Sequence, residues 1–79
     1  MIKVLLFADL EERAGQRIVE IPTAEMNIAD IRRYLLDKFP QLSASIRTAM
    51  PAINEEYAAD QAVASSGDEV AFIPPVSGG

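Results

Sequence analysis

The chain ends Ile73-Pro74-Pro75-Val76-Ser77-Gly78-Gly79, and its capacity for chemistry is concentrated at that end. There is no cysteine and no histidine, so the most versatile nucleophile and the side chain that titrates near neutrality are both missing. Gly78 and Gly79 cannot pack or donate side-chain hydrogen bonds. What they offer is thinness and backbone freedom, so a carboxylate behind them threads a channel too narrow for other residue pairs. The expected reacting atom is therefore the α-carboxylate of Gly79. A carboxylate is a poor electrophile and must first be activated, most simply by attacking the α-phosphate of ATP to give an acyl-adenylate. The chain has no phosphate loop and no GxGxxG, so a partner must supply the ATP site. The activated acyl group then accepts sulfur, giving a thiocarboxylate, or passes to an amine.

The residues upstream suit such a device. Pro74 and Pro75 fix φ at two positions and remove two N–H groups, which favours an extended path away from the body. Val76 is one apolar anchor and Ser77 is small. Fully extended, residues 76–79 reach roughly 13 Å. Against this stands the reading of an inert, frayed end. An independent enzyme is the weakest option: the paired acids Glu11-Glu12, Glu55-Glu56 and Asp68-Glu69 fall in predicted loops and turns, where solvated charge is the default. No metal site is expected.

Seventy-nine residues form one small domain, and 49% hydrophobic content is enough for one core. Twelve acidic against seven basic residues give a net charge of −5, which disfavours nucleic acid because phosphate binding needs clustered Lys and Arg. The densest basic cluster, Arg32-Arg33 with Lys38, is expected on the exposed side of a helix. Met1–Asp9 fits neither a secretory signal nor a membrane span, so the expected location is cytoplasmic, with no membrane partner.

Residues 2–8 are a near-continuous apolar run, read as a strand buried on both faces. A polar segment over 9–16 turns the chain, with Gly15 at a positive-φ position, and residues 17–21 form a second strand ended by Pro22. Ile28, Ile31, Leu35 and Phe39 make one apolar stripe, predicting a helix over 28–39 capped by Asn27 and stopped by Pro40. Residues 42–49 allow a short helical turn. Strands follow at 51–54, around Tyr57 and at 70–73, with 60–66 read as loop. With the short stretch around Tyr57 counted together with the strand before it, the order ββαββ predicts an α+β fold, a mixed sheet on one main helix. The β-grasp (ubiquitin-like) arrangement fits it, as do a ferredoxin-like half or a small sandwich. The domain is expected over residues 1–75, with a flexible tail over 76–79.

Phe7-Ala8 with Leu10, Glu12 and Gly15, then Ala52-Ile53-Asn54-Glu55-Glu56-Tyr57, and above all Gly67 through Gly79 resemble the small subunits of molybdopterin synthase, a branch of the ubiquitin-like sulfur-carrier family. The resemblance covers essentially the whole chain. It implies a β-grasp fold and a non-catalytic sulfur-donor role. An E1-like enzyme, using ATP that this chain does not itself bind, would adenylate Gly79. A persulfide-bearing donor protein would supply the sulfur. The tail Pro74, Pro75, Val76, Ser77 and Gly78 would enter the large subunit of molybdopterin synthase, where the thiocarboxylate on Gly79 gives sulfur to cyclic pyranopterin monophosphate. The family assembly is a heterotetramer with two small subunits at the ends of a dimer of large ones. Phe7, Tyr57 and Ile73 match positions of the family's partner-docking face, although Phe7 and Ile73 also read as core residues. A carrier for thiamine or tRNA thiolation, a ubiquitin-like modifier and a plain interaction domain are the competing readings.

Overall fold

The structure is a computed structural model that describes Met1–Pro75, so the tail positions Val76, Ser77, Gly78 and Gly79 lie outside the described residues. Elements run in the order β1 (Ile2–Leu6), α1 (Asp9–Ala14), β2 (Ile18–Ile21), β3 (Glu25–Asn27), α2 (Ile28–Lys38), a 3-10 turn (Pro40–Leu42), α3 (Ser43–Thr48), β4 (Met50–Ile53), β5 (Glu56–Tyr57), β6 (Val63–Ser65) and β7 (Glu69–Ile73). Five strands form a mixed sheet in the order β2-β1-β7-β4-β5, while β3 and β6 pair as a separate ribbon. β1 lies antiparallel to β2 and parallel to β7, and β7 lies antiparallel to β4. The sheet closes on α2 in the β-grasp arrangement expected from the sequence.

Ile2, Val4 and Leu6 of β1, Val19 and Ile21 of β2, and Val70 and Phe72 of β7 share one core with Ile28, Ile31 and Leu35 of α2. The expectation that the first strand is buried on both faces is corrected. Burial alternates along β1, with Lys3 exposed and Leu5 only half-buried, because only one face of the sheet meets the helices. α2 starts where expected: Asn27 Oδ1 accepts from the Asp30 N–H at 2.8 Å. It ends at Lys38, one residue early, since Pro40 pushes Phe39 out of helical dihedrals to φ −129, ψ 80.

Three segments depart from their sequence reading. Residues 9–14 form α1, not a turn. Asp9, Glu11 and Glu12 suit its N-terminal turn, Leu10 is fully buried, and Gly15 closes the helix at φ 78. Residues 63–65, read as loop, form β6 and pair with β3, an element the sequence reading lacked. Arg32 is not on an exposed face. Its side chain is 16% exposed, and its Nη1 donates to the carbonyls of Ile46 at 2.6 Å and Ala49 at 2.8 Å. Nη2 donates to Asp60 Oδ1 at 3.1 Å, and Cζ lies 5.2 Å from the centroid of the Phe72 ring. One guanidinium thus joins α2, the end of α3, the loop before β6 and β7. Arg33, by contrast, is exposed.

Two aspartates act as surface staples. Asp9 Oδ2 accepts from Ser45 Oγ at 2.7 Å and from Arg13 Nε at 2.9 Å, tying α1 to α3. Asp68 accepts from the Ser65 N–H at 2.8 Å and from Asn54 Nδ2 at 3.1 Å. The Ser45 hydroxyl, then Arg13, hold the Asp9 carboxyl below the usual aspartate value of 3.8. The Ser65 amide, then Asn54, do the same for Asp68.

Truncating Arg32 strands two backbone carbonyls. Arg32→Ala is expected to lower stability by roughly 2 kcal/mol in urea denaturation, whereas Arg33→Ala should stay within about 0.5 kcal/mol. Both aspartates bind protons less readily in the folded state than in the unfolded chain. The stability they contribute is therefore present above pH 3.8 and lost as pH falls through their lower folded values. Stability measured against pH should fall below that point, and more shallowly in Asp68→Asn, which should already be weaker at neutral pH.

Candidate functional site

The face of the sheet turned away from α2 is open, and the register makes it apolar. Cross-strand pairing aligns Ile18, Leu5, Ala71, Ala52 and Tyr57 in one row from β2 to β5. Toward the tail, Ile73 stands opposite Met50. At the other end, Glu20, Lys3 and Glu69 form a charged row. Antiparallel sheets with one solvated face normally alternate apolar-in and polar-out. Here Ile18, Met50 and Tyr57 are among the large apolar residues left exposed, Tyr57 by 71%.

This face holds a cleft of about 400 Å³, walled by Leu5, Phe7, Ala52, Tyr57, Ala71 and Ile73, with Glu55 and Glu69 also lining it. Phe7, Tyr57 and Ile73 therefore meet at one place. Phe7 and Ile73 belong to this outer face and are absent from the buried core, which closes the alternative left open by the sequence. Ile73 ends β7, and Pro74 and Pro75 leave from it, half-buried and exposed respectively. Sequence reasoning missed Leu5, Ala52, Ala71, Glu55 and Glu69. The signal was the two-residue alternation of Glu69-Val70-Ala71-Phe72-Ile73, whose odd members share a face.

Backbone strain flanks the cleft on both sides. Ala8, directly after Phe7, has φ 51 and ψ −127, and the Leu10 N–H closes the turn on the Phe7 carbonyl at 3.1 Å. Across the sheet, Asn54 and Glu55 turn β4 into β5 with φ 50 and φ 70. That two-residue loop needs positive φ at both positions, which Asn and Gly adopt cheaply and Glu does not. Asn54 is clamped, since its Oδ1 accepts from the Glu69 N–H at 3.0 Å while its Nδ2 donates to Asp68. Among the described residues no group of three or more acidic side chains is placed to hold a metal ion, and no helix is long and apolar enough to cross a membrane.

A central strand running into a double proline beside an open apolar face is the architecture of a ubiquitin-like carrier domain. Residues 4–79 match the ThiS family, to which the chain belongs. It is 42% identical over 82 residues to a molybdopterin synthase sulfur carrier subunit of Arabidopsis thaliana, covering 99% of this chain and 82% of that one. It is 38% identical over 81 residues to the protein of that name in Dictyostelium discoideum, with 98% and 94% covered. Among solved structures, the crystal structure of SAMP1 from Haloferax volcanii superposes with a TM-score of 0.84 at 32% identity, over 99% of this chain and 98% of that one. Subunits 1 and 2 of molybdopterin-converting factor from Helicobacter pylori have been solved as a complex. A chain of it shares the fold at a TM-score of 0.69 and 19% identity, over 99% of this chain and 97% of that one.

The two faces of the sheet should separate cleanly under mutation. Tyr57→Ala is expected to leave stability within about 0.5 kcal/mol, whereas Phe72→Ala on the inner face should cost about 3–5 kcal/mol in the same urea titration.

Proposed function

We propose that this chain is the sulfur carrier of a molybdopterin synthase, with the carboxylate of Gly79 as the group that is activated, thiolated and spent. The observation that carries the reading is the path of β7. This central strand ends at Ile73 on the wall of the apolar cleft and passes directly into Pro74-Pro75. A partner seated on that face would stand where the tail leaves. Relatives that match across nearly the whole chain bear the name of sulfur carrier subunits, which supports the same role here.

The steps balance without any side chain of this domain. A Gly79 carboxylate oxygen bonds to the α-phosphorus of ATP on an E1-like enzyme, and pyrophosphate leaves. A sulfur nucleophile then takes the acyl carbon and AMP leaves. Where the donor is a persulfide-bearing protein, a thiol cleaves the resulting acyl disulfide and frees the thiocarboxylate. The tail, Pro74 through Gly78, carries that group into the large subunit, where sulfur passes to cyclic pyranopterin monophosphate and water restores the carboxylate. The domain's own work is to dock through Phe7, Tyr57 and Ile73 and to hold the tail out.

Intact-mass measurement after incubation with ATP, hydrosulfide and an E1-like activating enzyme tests this. The expected result is a gain equal to replacing one oxygen by sulfur, abolished by deleting Gly79, with the thermal midpoint of the truncated chain unchanged. No gain under conditions that thiolate another carrier would move the assignment to a modifier or a passive interaction domain, whereas a gain that survives the deletion would reject Gly79 as the residue that bears the sulfur.

A further inference from the structure

The cleft is lined by apolar residues, two aromatic residues and two acidic ones, and these features name the chemistry of what fills it. Among the described residues neither Glu55 nor Glu69 forms an ion pair within 4.0 Å. Lys3, cross-strand from both Glu20 and Glu69, is the lone cation of the charged row, outnumbered by its two carboxylate neighbours even before Glu55 is added. A second copy of this chain, with a net charge of −5, would bring carboxylates against carboxylates. An uncharged apolar insert would fill the walls but desolvate two acids without compensation.

Glu55 adds an independent observation. It stands at φ 70, the second central position of a two-residue hairpin loop, where glycine is the preferred residue. A non-glycine residue in this left-handed region costs roughly 1 kcal/mol. The loop thus carries a carboxylate at the cleft in a position where stability alone favours no side chain. Strain of this kind collects at functional positions.

We propose that the cleft receives an arginine side chain from the docking partner, with its flat guanidinium against the Phe7 and Tyr57 rings and its N–H groups on Glu55 and Glu69. Guanidinium suits the site better than ammonium because it is planar, stacks on rings, is weakly hydrated and donates along two directions at once. The proposal builds on the docking role given to this face above, although its test needs no partner enzyme.

The test is an amide NMR titration of the full chain with an acetylated, amidated Leu-Arg-Leu peptide, alongside its citrulline and lysine counterparts. The arginine peptide should bind with affinity on the order of millimolar and shift the amides of Leu5, Tyr57 and Ala71. Citrulline, of the same shape without the charge, should bind about tenfold more weakly, and lysine severalfold more weakly. Glu69→Gln should weaken binding about threefold without changing the urea midpoint. Glu55→Gly should weaken it similarly while raising the urea midpoint, a combination that a purely structural role for Glu55 does not give. Equal binding of the citrulline or lysine peptide, undiminished binding by Glu55→Gly, or no saturable shifts at the cleft would each overturn the proposal. Arginine-selective binding by a chain that fails to acquire sulfur would keep this proposal and reject the carrier role; the reverse result would reject the pocket alone.

Discussion

The last strand lies in the middle of the sheet. β7 pairs in parallel with β1 on one side and antiparallel with β4 on the other, so its register fixes both faces at once. Val70 and Phe72 must enter the core, which leaves Ala71 and Ile73 on the open side. A slip of one residue would exchange the two sets, burying Glu69 and exposing Phe72. Arg32 reinforces the choice from the helix side, with its guanidinium near the Phe72 ring and its donors on the carbonyls of Ile46 and Ala49. The point of departure of Pro74 is therefore set by core packing, and the side on which the chain leaves the sheet follows from the parity of five residues.

Much of this was legible in the residues. The α2 stripe, the Asn27 cap and the Pro40 stop each rest on local physics and appear where expected. The double proline after a β-branched and aromatic run marked the end of the last strand. What escaped depended on distant partners. Val63-Ala64-Ser65 buries only Ala64, and the strand exists because Glu25–Asn27 lies alongside it. α1 contributes one fully buried residue, Leu10, too few to show a period. A helical wheel gave the angle of Arg32 but not the carbonyls of Ile46 and Ala49 to which it donates.

The reading of β1 as doubly buried failed for a more instructive reason. An apolar stripe on a strand records that a face suits an apolar environment, and carries no information on which chain provides it. Leu5 and Phe7 have the composition of covered residues, yet the described chain leaves both only half-buried. Strain at Ala8 and Glu55 brackets the same surface. Core residues here follow stability, while the outer face and its two turns depart from it together, as expected where function competes with folding.

Pairing the first strand with the last also has a consequence for synthesis. Contacts between residues near 4 and near 70 close only after almost the whole domain has been made, and such long-range pairing comes late in folding. A nascent or truncated chain that lacks β7 has a gap at the centre of its sheet and is missing Val70 and Phe72 from its core. It cannot circulate as a well-formed decoy that occupies docking partners without offering them the segment that leads into the tail. The topology thereby acts as a completeness check on each copy, with folding itself as the inspector.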